Sequence, residues 1–91
     1  MTTQQTQLKW ENTALGKFNH MITRIPMFHR EIAKVVVTKK AEQNAAQRGS
    51  SQVEEPDIVK AFFSEVPKAF YSLMVRLLDE AKFNYKNYNL K

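Results

Sequence analysis

Ninety-one residues with 43% hydrophobic content and a net charge of +5 describe one small, moderately basic domain. The absence of cysteine excludes disulfides, thiolate-held zinc, cysteine-ligated iron–sulfur clusters and thiol nucleophiles. No apolar run approaches the roughly 20 residues that a membrane-spanning helix needs. The polar start, MTTQQTQLK, has no signal-peptide core, so residues 1–9 read as a flexible lead-in to a soluble protein of a cytoplasmic type.

Only two glycines and three prolines punctuate the chain, and no strand-like alternation is sustained. The fold class read from this is all-α: short helix, long central helix, short helix, then a C-terminal amphipathic helix. The first helix is expected over residues 12–23, capped by Asn12 or Thr13. Leu15, Phe18, Ile22 and Ile25 share one face, Met21 widens it, and Trp10 packs back on it. Pro26 suits the first turn of a second helix, and the proline bias against α geometry places Ile25 at the break. That second helix is expected over residues 26–48, closed by Gly49. It carries a stripe of Phe28, Ile32, Val35 and Val36 and, nearly opposite, a smaller one of Ala33, Val37, Ala41 and Ala45. Two stripes predict neighbours on two sides, with Phe28 as a core anchor and the alanine stripe open to a closely approaching partner.

SSQVEE reads as a loop, and a third helix starts near Pro56 with Glu54, Glu55 and Asp57 at its positive end. Ile58, Phe62 and Val66 form its buried face, helped by Val59 and Phe63. Pro67 ends or kinks it, with Ser64 placed to cap the next helix. A fourth helix continues to about Phe83 on Phe70, Leu73, Met74, Leu77, Leu78 and Ala81. The domain boundaries that result are 1–9, 10–66, 67–84 for the added helix and 85–91 for an aromatic tail.

No chemistry assembles along this pattern. His20 and His29 stand nine residues apart across a helix break, not at the spacing of a metal pair, and no Glu-x-x-His motif occurs. Glu54/Glu55 and Asp79/Glu80 are sequence neighbours, whose side chains diverge by about 100° on a helix and make no acid/base dyad. There is no nucleophile elbow and no glycine-rich phosphate loop. The expectation is a protein that is not an enzyme, with no catalytic residue, no metal and no cofactor. Met21, Met27 and Met74 read as core fillers rather than as a pigment pocket. The candidate partner-binding residues are Arg24, His29, Arg30 and Lys34 around the proline joint and Tyr85 and Tyr88 in the tail. Arg30, Lys34 and Arg48 lie to one side of the second helix, which leaves phosphate binding open as the lesser reading.

Two resemblances rest on particular residues. Trp10, Ala14, Ile25-Pro26-x-Phe28-x-Arg30, Glu42, Ala45, Gly49 and Val53 resemble the small C-terminal domain of the B subunit of light-independent protochlorophyllide reductase, over roughly residues 10–63. His29 departs from that pattern, as do the longer second helix and everything from Pro67 onward. The resemblance implies a stand-alone module that associates with a chlorophyll-biosynthesis or photosynthetic complex, with a peripheral place on a photosynthetic membrane left open. It carries over no catalytic residue. Gly49, Val53, Asp57, Ile58 and Ala61, with the order of the helices, also resemble the histone fold. That similarity implies pairing between two chains, a homodimer, and a nucleic-acid-binding alternative, although Ser50 and Gln52 stand where histones carry their DNA-gripping loop residues. The partners expected are therefore subunits of a protein complex first and nucleic acid second.

Overall fold

The computed structural model describes residues 8–84 and shows an all-α protein of four helices with one minimal strand pair. In chain order these are β1 (Lys9–Trp10), α1 (Asn12–Arg24), α2 (Met27–Gln47), β2 (Gln52–Val53), α3 (Glu55–Glu65), a single 3-10 turn at Lys68–Phe70 and α4 (Tyr71–Glu80). The short–long–short order and the additional amphipathic helix are as the sequence predicts.

The strand pair is not expected from the sequence. Lys9 and Trp10 run parallel to Gln52 and Val53, and the Glu11 N–H donates to the Val53 carbonyl at 2.9 Å. Two residues are too short to carry a readable alternation. Their pairing clips the start of α1 to the loop after α2. Trp10 then lies on α1 as expected, its ring 5.1 Å from that of Phe18, while its indole N–H donates to Glu42 on α2 at 3.1 Å.

The cap of α1 is Glu11 rather than Asn12 or Thr13. Its carboxylate accepts from the backbone N–H groups of Ala14 (2.8 Å) and Thr13 (3.1 Å), two of the donors that every helix start leaves unpaired. Those bonds hold the Glu11 carboxyl below its usual value of 4.5. The Gln52 amide, and then the Arg48 guanidinium, do the same for Glu54. Folded-state values depressed below the unfolded ones contribute stability that is present above the unfolded value and lost as pH falls through the folded one. The melting temperature is therefore expected to decline between about pH 5 and about pH 3, and Glu11→Gln to flatten that decline in a thermal-melt series.

The joint between α1 and α2 follows the proline. Ile25 is extended and ends α1, while Pro26 sits one residue earlier than expected, at the cap of α2. Arg30 closes the joint. Its guanidinium donates to the carbonyls of Ile25 (3.1 and 3.2 Å) and Thr23 (3.1 Å), acceptors that the C-terminal turn of α1 leaves open.

The core forms where α2 lies on α3, with α1 and α4 closing the sides. α2 contributes its small stripe, Val37, Ala41 and Ala45, all buried, and α3 answers with Ile58, Val59, Ala61 and Phe62. Small residues at the crossing let the two backbones approach closely. α1 buries Ala14, Phe18, Met21 and Ile22, and α4 buries Met74, Leu77 and Leu78. Leu15 is half-exposed instead, because the α1 face is rotated toward Ala14 and Met21.

The loop after α2 is held by charge. Arg48 reaches back to Asp57, the one buried charged side chain among the described residues, through Nε to Oδ1 and Nη2 to Oδ2, both at 2.8 Å. The same Asp57 accepts from the Glu54 N–H at 2.9 Å and so caps α3 from inside its first turn. Asn44 donates to the Asp57 carbonyl at 3.0 Å.

The turns that close α2 and α4 use the same hydrogen-bond pair. After α2, Ser50 N–H bonds to Ala45 and Gly49 N–H to Ala46, with Gly49 at φ 77°. After α4, Phe83 N–H bonds to Leu78 and Lys82 N–H to Asp79, which ends the helix at Glu80 rather than near Phe83. Here the left-handed position, φ 70°, is taken by Lys82, which has a Cβ to strain. Lys82→Gly is expected to stabilise the fold by about 1 kcal/mol, measured as a rise in the urea midpoint.

Pro67 terminates α3 rather than kinking it: Val66 is extended, and Pro67 precedes the 3-10 turn. Ser64 does not cap the next element, since its hydroxyl donates back to the Ala61 carbonyl at 3.2 Å.

Candidate docking surface

With the alanine stripe of α2 turned inward, its larger stripe faces out. Phe28 is 93% exposed, Ile32 68% and Val35 60%, and Val36 is exposed as well. The expectation that Phe28 anchors the core is thus corrected, and so is the expectation that the alanine stripe meets a partner. A helix with apolar residues on two opposite sides can bury only one against the few neighbours a chain this short supplies. The stripe with the smaller residues wins because it allows the closer α2–α3 contact. Met27, 77% exposed, is likewise not the core filler expected, whereas Met21 and Met74 are buried.

Beside the exposed ridge runs an apolar groove of about 370 Å³. One wall is the joint and the first turns of α2, with Ile25, Pro26, Ile32 and Val36. The floor is Met21 and Phe62, and the other wall is the end of α3 and the start of α4, with Val66, Phe70 and Leu73. The segment ended by Pro67 builds this second wall, because the 3-10 turn swings Phe70 out beside the groove, half-exposed at 51%. Polar groups are few. His29 and Glu65 line it, and the His29 ring stands 6.4 Å from that of Phe70.

The other candidate residues do not gather there. Arg24 is exposed in the last turn of α1 and pairs with Glu80 at 3.3 Å. Arg30, expected among the partner-binding residues, is instead half-buried and spent on the carbonyls of Thr23 and Ile25. Lys34 is exposed on α2. Tyr85 and Tyr88 lie outside the described residues. Of the trio weighed for phosphate, Arg30 and Arg48 are both held in internal hydrogen bonds, and Lys34 alone makes none among the described residues.

The described residues hold no group of three histidine, aspartate or glutamate side chains placed for a metal ion. No helix among them is long and apolar enough to cross a membrane. What this surface offers chemically is apolar area bordered by isolated charges.

The chain belongs to the DUF2621 family of proteins of unknown function, whose family model matches residues 2–90. Neither the curated proteins nor the solved structures contain a match to it.

Proposed function

We propose that this protein is a non-catalytic interaction or assembly module that binds another protein surface through the outer face of α2 and the groove beside it. One observation carries the reading: the longest helix leaves its larger apolar stripe in solvent, with Phe28 93% exposed. A contiguous apolar patch of this kind is uncommon on a protein that works alone. Phe28→Asp and Ile32→Asp are expected to leave the helical circular dichroism unchanged. They should abolish the fluorescence that an apolar-surface dye such as bis-ANS gains on the folded protein at concentrations low enough to leave the face uncovered. Dye binding indifferent to both substitutions would retire the reading.

The narrower form of the proposal is association with a chlorophyll-biosynthesis or photosynthetic complex. It rests on the resemblance of the Trp10, Ile25-Pro26-x-Phe28-x-Arg30 and Gly49 pattern to the protochlorophyllide-reductase domain. Phe28, the most exposed of these residues, has no packing role to explain it, which supports a contact outside the chain. Affinity purification from a photosynthetic host should recover a reductase or photosystem subunit with the native protein and lose it with Phe28→Asp. Recovery of neither removes the narrower form.

The alternative, a histone-like nucleic-acid binder, draws on the net charge and the helix order. The engagement of Arg30 and Arg48 within the fold weighs against it, since phosphate binding depends on free cations. Gel shifts at two salt concentrations decide between the readings, because nucleic-acid binding must appear at low salt and weaken steeply as salt is raised.

A further inference from the structure

We propose that the occupant of this surface is a second copy of the same chain, paired through α2 in antiparallel fashion. The inference rests on the docking-face reading and names its partner.

Three observations point to self-association. The first is shape. The surface holds a protruding apolar ridge, Phe28, Ile32 and Val35, directly beside an apolar groove. A two-fold axis between a knob and a hole on one face makes each copy supply what the other lacks, as an isologous interface requires. With the axis passing between Ile32 and Val35, Ile32 of each copy meets Val35 of the other. Phe28 then comes within about one helical turn of Val35 and Val36 of the partner copy, at the edge of its groove.

The second is charge. Glu31 lies between Phe28 and Ile32 in the first half of the stripe and Lys39 lies just past Val36, both exposed and neither in an ion pair among the described residues. They are eight residues apart on one helix, too far to meet each other. In the antiparallel pair, Glu31 of each copy comes within about one helical turn of Lys39 of the other. A parallel pairing would bring like ends together and gain neither contact.

The third is area and placement. The exposed surface of Phe28, Ile32, Val35, Val36, Phe70 and Leu73 comes to roughly 600 Å², the larger part of the ~800 Å² that each partner contributes to a stable interface. The described chain enters and leaves elsewhere. Lys9 pairs with Gln52, and the Asn84 N–H donates to Glu55 at 2.9 Å, both at the N-terminal end of α3. The groove lies at the opposite end of that helix, beside Phe62, Glu65 and Val66.

Sedimentation equilibrium on the native chain reads the outcome. A species of twice 10.6 kDa is expected. Phe28→Asp should weaken it by ~30-fold or more, the scale of losing a central aromatic contact. Because Phe28 is almost wholly in solvent, this variant stays folded, and circular dichroism verifies that. Glu31→Lys and Lys39→Glu should each weaken the dimer several-fold, and the double charge swap should restore it. Rescue of this kind cannot arise within one chain. A dimer indifferent to Phe28→Asp overturns the proposal, and loss without rescue overturns the antiparallel pairing. A native monomer overturns self-association. If that monomer still binds bis-ANS in a manner that Phe28→Asp removes, the docking-face reading stands without it; if it does not, both fall. A monomer that floats with anionic phospholipid vesicles assigns the face to a lipid surface instead.

Discussion

Phe62→Ala is expected to destabilise the protein by about 3–5 kcal/mol, the cost of removing a fully buried aromatic from a core that cannot collapse around the space. Phe62 is 1% exposed and sits at the meeting point of the four helices. Its ring lies 6.0 Å from that of Phe18 on α1, and its edge floors the groove between α2 and α4. Val37 on α2, which lines the same groove as Phe62, is itself 1% exposed and has little freedom to fill the space. Small domains hold a net stability of roughly 5–15 kcal/mol, so this one substitution removes a large part of it. Urea denaturation followed by circular dichroism should show a midpoint shift of that size with little change in slope. Phe28→Ala, a chemically identical change on the outer face of α2, is expected to shift the midpoint by less than ~0.5 kcal/mol at protein concentrations low enough that the chain is unpaired. A comparable shift for both would contradict the assignment of inner and outer stripes.

That pair of phenylalanines also marks how far the sequence is legible. Helix number, order and approximate bounds follow from proline and glycine placement and from the spacing of apolar residues, because those signals are local. Ile58, Phe62, Met74, Leu77 and Leu78 are buried as their periodicity predicts. Which of two stripes on α2 turns inward is not local. It depends on the close packing of Ala41 and Ala45 against α3, which only the assembled fold decides. Size rank misleads there, since the larger residues are the ones left outside. The exposed apolar face was therefore written in the sequence as Phe28, Ile32, Val35 and Val36 but not recognisable as exposed. The signal available was the surplus itself: two apolar stripes on a helix in a chain too short to cover both.

The charges at the joint show the converse error. Arg24, Arg30 and Arg48 read as surface cations in sequence, since nothing local assigns them a partner. The fold gives Arg24 a carboxylate on α4 and Arg30 the open carbonyls at the end of α1. Arg48 and Asp57 stand nine residues apart with a helix end and a loop between them, beyond the reach of any helical spacing rule. The Ile-Pro joint is thus legible as a joint, while the role of Arg30 in closing it is not.

Removing Arg48 is the second large expected loss. Asp57 has a side chain 2% exposed, and its two oxygens are satisfied by the Arg48 guanidinium and the Glu54 N–H. Arg48 itself remains 40% exposed, and its bonds to Asp57 and Glu54 raise its pKa further, so it stays charged at any working pH. Arg48→Ala strands a carboxylate that water reaches poorly, and breaking a buried pair from one side costs on the order of 3 kcal/mol. Asp57→Ala removes the buried charge but also the bond that starts α3, and a similar loss is expected. The two changes share one interaction, so the double variant should lose clearly less than the sum of the singles, by ~1 kcal/mol or more. Full additivity in a denaturation cycle would mean that Arg48 and Asp57 act separately. The loop 49–54 carries β2 and, through it, the anchor of β1 and Trp10. Loosening at Arg48 should therefore also quench or shift Trp10 fluorescence before global unfolding, whereas Phe62→Ala should move fluorescence and circular dichroism together.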